Sequence, residues 1–276
     1  MWARAAGSRG LSLVRHFTSS FPKPYTVPEG SWGANRAARL ELAAAYRGLD
    51  LLGLNEGVSN HLSVMAPRAN GEGDVMLVFP EGLHWKEVTA SNLVGLDSDA
   101  QTIEGEGSPE TTASCIHLSI HKMRSDIRVI MHTHQPYVSA LASLEDSEMK
   151  MVHQNSLRFW KDIAYDPHYS GVAYAFEEGE RMGKILGDKH VLIMGNHGVL
   201  TVAPTVSMAF EMLYYLERAA MTQILAMSTK QKLREISEEV IKAMFPEYMK
   251  RAQNYADVFF YAYYRLLKQS QPDFEQ

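Results

Sequence analysis

The sequence predicts one α/β domain, and three observations carry that expectation. IRVIMHTH at 127–134 and HVLIM at 190–194 have the β-branched and apolar content of buried strands. Residues 34–52 and the segment from Thr205 onward repeat apolar side chains at helical spacing. No linker, internal repeat or low-complexity stretch separates these segments, so the 276 residues are expected to share one core.

Composition narrows the function classes. A formal charge of −5 and a pI near 6.1 give no overall basic field, and no Lys/Arg cluster is interleaved with aromatics, which sets nucleic acid aside as a partner. No run approaches the roughly 18 unbroken apolar residues that span a bilayer. Cys115 is the one cysteine, so no intrachain disulfide can form, which fits a reducing compartment.

The elements follow in chain order. Residues 1–20 carry Arg4, Arg9 and Arg15 with several Ser and Ala, and the first acid is Glu29. That is the composition of a mitochondrial transit peptide; the alternative is a disordered arm on a cytoplasmic protein. Residues 21–33, rich in Pro and Gly, read as an irregular lead-in to a domain over 34–276. Leu40, Leu42, Ala43, Tyr46 and Leu49 mark a first helix with Gly53 as its C-cap. HLSVMAP and DVMLVFP, separated by RANGEGD, read as a hairpin, and Thr89–Asn92 opens a short element ending in LVGLD. Thr111 and Thr112 stand where a helix running to Arg124 starts, with Ile116, Ile120 and Met123 as its apolar stripe. HVLIM, the Gly195–Gly198 turn and VLTVA read as strand, turn, strand. Thr205 or Ser207 then caps a long helix, and an aromatic-rich helix is expected over roughly 247–268.

Side chains two apart on a strand share a face, so His132 and His134 present two imidazoles side by side at a strand end. Neutral imidazole is a favoured zinc ligand, and a catalytic zinc takes three protein ligands while keeping a position open. His197 is the best third ligand, because its flanking Gly195 and Gly198 let the backbone bend and approach closely. His117 and His121 have the spacing of a zincin pair, but Leu118 stands where that motif needs its glutamate, so the two are read as a surface or interface pair. His61 and His84 are read as loop residues with packing or solvent-facing roles, the alternative being contact with substrate from a cleft-lining loop, and Gln154 and Asn155 as buried or cleft-facing.

On SNHLSV at 59–64, LVFPEGLHWKEVTASNLV at 77–94, IHLSIHKMRSDIRVIMHTHQPYVSAL at 116–141 and VLIMGNHGVLTVAPTVSMAFEMLYYLERAA at 191–220, the chain resembles the class II aldolase and adducin N-terminal domain family. The resemblance implies a three-layer α/β/α fold around a mixed central sheet, assembled as a homotetramer. It implies Zn²⁺ on His132, His134 and His197, with Mn²⁺ or Fe²⁺ as alternatives in a site open to water. It implies a lyase or isomerase of the aldolase type that forms an enediolate from a small sugar-like hydroxy-carbonyl substrate. The other branch of the family, the adducins, implies a non-catalytic assembly module with actin and spectrin as partners.

Two departures from the family pattern matter. Aldolases carry an acid four residues before the histidine matching His117, and Ala113 stands there. Glu110, three residues earlier, is a candidate substitute acid that reaches the site if its turn rearranges, the alternative being a solvated carboxylate favoured at a helix N-terminus, and Tyr137 is a second candidate proton donor. For substrate binding, Asn60, Gly82, Thr111 and Thr112 match the family's anion-binding loops, whereas Glu81 takes the place of a small hydroxyl residue. A carboxylate facing a phosphate costs roughly 1 kcal/mol when hydrated, which points to a non-phosphorylated substrate.

Overall fold

The computed structural model describes residues 31–169, 171 and 175–276, the first two of them by backbone only, so the expected transit segment 1–20 lies outside the described residues. The first helix, α1 (Ser31–Leu51), takes in the last three residues of the expected lead-in. It buries the predicted stripe, with Leu42, Ala43, Tyr46 and Leu49 fully inside. Gly53, at φ +68°, ends it: the Leu54 amide donates to the Leu49 carbonyl and the Gly53 amide to that of Asp50, both at 2.9 Å, so the last carbonyls are satisfied by a left-handed turn that glycine adopts without strain.

β1 (His61–Pro67) and β2 (Asp74–Val78) form the expected antiparallel hairpin. β3 (Val94–Leu96) and β4 (Thr102–Glu104) extend the sheet beyond it. After α2 (Thr111–Met123) come β5 (Val129–Thr133), α3 (Pro136–Ala142), β6 (Ile163–Asp166), α4 (Phe176–Leu186), β7 (Val191–Met194), β8 (Val199–Ala203) and α5 (Val206–Ser228). The eight strands lie in the order β4-β3-β2-β1-β5-β8-β7-β6. Only β6 and β7 run parallel, and α4 makes the crossover that a parallel pair requires.

Helices cover both faces, giving the expected three layers. β5 shows why: Val129 and Met131 join the larger apolar cluster with α1 and α5, whereas Ile130 points the other way and joins Ile116, Ile120, Met182 and Leu186 of α2 and α4. The α2–α4 contact is close. A Cβ on Gly179 would lie 2.3 Å from the Cys115 carbonyl oxygen, which no rotamer change relieves. Gly179→Ala is therefore expected to lower stability by about 1–3 kcal/mol, despite alanine's better helix propensity, and a urea midpoint unchanged or raised would refute this.

The expected aromatic helix is in fact two. α6 (Glu238–Met249) ends shortly after the internal Pro246, where the Arg251 amide closes a tight turn on the Tyr248 carbonyl at 2.9 Å. α7 (Ala252–Ser270) then starts afresh, and Phe259, Phe260 and Tyr263 stack around Phe210 of α5 in the same chain. These rings thus pack within the chain. Among the described residues no helix is long and apolar enough to cross a membrane.

Candidate metal centre

Strand alternation sets the site. On β5, His132 follows Ile130 onto the α2 face of the sheet, and the register pairs His132 with His61 of β1 on one side and Leu200 of β8 on the other. His134 comes just past the strand end, its amide donating to Asn60 Oδ1 at 3.0 Å. Asn60 itself sits at φ +70°, a left-handed conformation that asparagine tolerates. His197 arrives on the turn between β7 and β8. Gly198 is what lets that turn close, since a Cβ there would lie 2.5 Å from the Thr133 carbonyl oxygen and 2.7 Å from His134 Cδ2.

The three predicted ligands therefore meet. One ligand atom from each of His132, His134 and His197 lies within 4.8 Å of the others, and the Nε2 atoms of His132 and His134 are 3.1 Å apart. Their outer nitrogens are held by acceptors: His132 Nδ1 donates to the Val199 carbonyl at 3.0 Å, and His134 Nδ1 donates to Glu56. In the neutral rings that leaves both Nε2 lone pairs turned inward, the arrangement in which a carbonyl or carboxylate behind each imidazole fixes its tautomer for a metal. Burial holds His132 well below the usual imidazole range and lowers His197 to about 4, so both are uncharged at neutral pH, as a metal would need them. The donor set fits a divalent ion of the zinc type. Glu56 was not among the residues singled out by sequence. Glu56→Ala is expected to weaken metal affinity about 10- to 100-fold, read by competition with a chromophoric chelator.

These histidines floor a cleft of about 420 Å³. Asn60, Gly82, Glu110 and Thr112 line it as expected, and so does Glu81. Glu110 reaches the cleft without any rearranged turn. It is the N-cap of α2, and its Oε2 accepts from the Ala113 amide at 3.0 Å and from the Thr112 hydroxyl. The carboxylate thus stands against the backbone of Ala113, the position whose side chain the family pattern expects to supply the acid.

Other expectations are corrected. Thr111 is exposed and outside the cleft lining, because Glu110 rather than a threonine caps the helix and turns Thr111 to solvent. Tyr137 is also outside the lining: its amide donates to buried Glu217 at 2.9 Å, which docks the start of α3 on α5, and its ring packs on the large apolar cluster. His117 is fully buried rather than on the surface, and His121 is half-buried with its ring nitrogens inside, since α2 lies between β1 and α4. His61 is a buried strand residue lining the cleft, not a loop residue, whereas His84 is half-buried at the start of a 3-10 turn outside it. Gln154 and Asn155 line a different cleft, beside Arg158 and Tyr248. Tyr169, on the cleft wall with its ring centroid 6.0 Å from that of His197, had no signal in the sequence.

Comparison with known proteins adds the family. The Class II Aldolase and Adducin N-terminal domain model matches residues 40–224. An aldolase II superfamily protein from Pseudomonas syringae is 31% identical and superimposes with a TM-score of 0.77, over 88% of this chain and 96% of the other. An L-fuculose 1-phosphate aldolase from Glaciozyma antarctica PI12 is 25% identical at the same TM-score of 0.77, over 92% of this chain and 97% of that one. An adducin-related protein of Schizosaccharomyces pombe is 31% identical over 64% of this chain, which spans about half, 55%, of that relative's length. The sheet, the histidine triad and these likenesses together establish that the chain belongs to the class II aldolase and adducin N-terminal domain family.

Proposed function

We propose that the chain is a zinc-dependent lyase or isomerase of the aldolase type, acting on a small, non-phosphorylated hydroxy-carbonyl compound. The observation that carries this reading is one cleft holding three histidine ligand atoms within 4.8 Å of one another and a carboxylate, Glu110, anchored at the Ala113 amide. When bound, a divalent ion there supplies Lewis-acid polarisation of the substrate's hydroxyl and carbonyl oxygens. The chain's own groups do the rest. Glu110 takes the proton from the carbon next to the carbonyl and returns it, the role for which an anchored carboxylate in a cleft is suited. Asn60, Gly82 and Thr112 line the wall that holds the remainder of the substrate, and the carboxylate of Glu81 beside Gly82 disfavours a phosphate there.

The test is metal content by elemental analysis of untagged protein, together with proton NMR of dihydroxyacetone in D₂O, where enediolate formation replaces its C–H protons by deuterium. Stoichiometric zinc and metal-dependent exchange support the reading. Folded protein without metal would move the assignment to a non-catalytic assembly module, the reading that the likeness to the adducin-related protein favours.

We also propose a homotetramer. Val240, Met244, Met249 and Val258 leave apolar surface exposed on α6 and α7, and such surface is suited to a subunit contact. Light scattering that finds only monomer would refute this. A mitochondrial address rests on the first twenty residues alone, and imaging of a C-terminal fluorescent fusion with and without them tests it.

A further inference from the structure

Behind the cleft, the α2 face of β1 carries two polar residues, His61 and Ser63, where an apolar pair would pack against the helix. Facing them on α2 are His117 and His121, one turn apart. These groups join Thr112 and Glu110 in an unbroken series of contacts. Glu110 accepts from the Thr112 hydroxyl, whose oxygen lies 3.2 Å from His61 Nε2. His61 Nδ1 is 2.8 Å from His117 Nε2, His117 Nδ1 is 2.7 Å from Ser63 Oγ, and Ser63 Oγ is 3.4 Å from His121 Nε2. His121 Nδ1 is buried and has no partner among the described residues.

The chemistry of one end fixes the direction of every bond. A carboxylate only accepts, so the Thr112 hydroxyl donates to Glu110 and must receive its own hydrogen bond from His61 Nε2–H. His61 Nδ1 is then an acceptor, which makes His117 Nε2 the donor to it and leaves His117 Nδ1 to accept from the Ser63 hydroxyl. Ser63 Oγ in turn accepts from His121 Nε2–H, so the unpartnered His121 Nδ1 is the acceptor at the far end. Three neutral imidazoles thus share one tautomer, and all the donors point towards Glu110. Aligned bonds of this kind polarise one another in a low-dielectric interior.

We propose that His61, His117, Ser63 and His121, with Thr112, form a directed proton path that runs from Glu110 in the cleft along the seam between β1 and α2 to His121, one turn further along the helix. The proposal rests on the reading of Glu110 as the acid–base group. In one passage an opening of the α2–α4 face admits a water or buffer acid to the buried His121 Nδ1, which takes a proton and leaves the donor as its conjugate base. Each hydrogen along the path moves one bond towards the cleft, and the Thr112 proton passes to Glu110. The carboxylate becomes a carboxylic acid, and each imidazole changes from the Nε2–H to the Nδ1–H tautomer without gaining net charge. Running backwards, the path empties Glu110 while the mouth of the cleft is closed by substrate. The four residues behind Thr112 act through Glu110 and are positioning residues.

The test reads tautomers and exchange on the full, zinc-loaded chain. In protein labelled with ¹⁵N-histidine, long-range ¹H–¹⁵N spectra are expected to show the Nε2–H tautomer at His61, His117 and His121; an Nδ1–H tautomer at any of the three overturns the proposal. Thr112→Val removes the acceptor that sets the direction, so mixed tautomers are expected as far away as His121, and Thr112→Ser restores the single pattern. A change confined to His61 overturns the path. Ser63→Ala, with His121→Asn as the alternative break if that variant does not fold, is expected to stop the Thr112→Val effect at the break. The same break is expected to slow deuterium exchange into dihydroxyacetone roughly tenfold with zinc retained and KM unchanged. An unchanged exchange rate overturns the path, provided Glu110→Ala lowers it. If Glu110→Ala leaves exchange untouched, the failure belongs to the acid–base reading instead, and the tautomer spectra still decide whether the chain is aligned.

Discussion

A His132→Ala, His134→Ala double variant is expected to lose its metal, falling from about one ion per chain to a trace while remaining folded. The size of the effect follows from geometry. A site with three protein ligands cannot lose two and keep a chelate, and His197 on its turn is left as a single imidazole competing with water. Folding is expected to survive because the removed rings line a cleft on one side and the apolar cluster around Ile130 and Leu200 does not include them. Elemental analysis beside circular dichroism checks both halves. A variant that keeps stoichiometric metal would place the ion elsewhere and remove the basis of the proposed chemistry.

Glu110→Ala is expected to separate chemistry from metal binding. It leaves all three histidines in place, so zinc stays, while exchange of the dihydroxyacetone C–H protons falls by roughly 10²- to 10⁴-fold, the usual worth of a positioned acid–base group. The variant also loses the cap on the Ala113 amide, a cost of about 1 kcal/mol to α2. A control distinguishes the two losses: Glu110→Ser restores a capping oxygen but not a base, so it is expected to recover thermal stability and not exchange. Recovery of exchange in that variant would show that Glu110 serves the helix alone.

The contrast between these residues shows what sequence could carry. The histidine triad was legible because its placement is local: a two-residue period on a buried strand and a glycine-flanked turn after another fix three side chains almost without reference to the rest of the fold. Glu110 was legible as a residue type but not as a position. Serine, threonine, aspartate and asparagine are the usual caps, so a glutamate bending back over the first turn has little sequence signature. Tyr137 failed for the opposite reason, since nearness in sequence to His134 says nothing about where α3 turns once Glu217, eighty residues on, grips its first amides. His117 and His121 looked external because α2 already had one apolar stripe. The helix is covered on two sides, and its second buried stripe is polar. The signal for that stripe lay in β1, where His61 and Ser63 alternate with Leu62 and Val64. The same blindness to packing hid α4, whose Gly179 and Gly183 weaken a helical reading yet are what allow the close approach to α2.

The division of the core by the sheet has a consequence for how the molecule opens. One face is backed by α1, α5 and α7 over the larger apolar cluster, while the α2–α4 face rests on a smaller one around Ile116, Ile130 and Leu192 and gives part of its contact area to a row of histidines. Amides of α2 and α4 should therefore trade their hydrogens with solvent through sub-global excursions well below the cost of complete unfolding, while β1 and β5 hold theirs until the whole domain melts. Those excursions would uncover the floor of the cleft from behind. A divalent ion held between the end of β5 and the β7–β8 turn would touch neither helix, so saturating it should leave these excursions unchanged while raising the cost of complete unfolding by mass action.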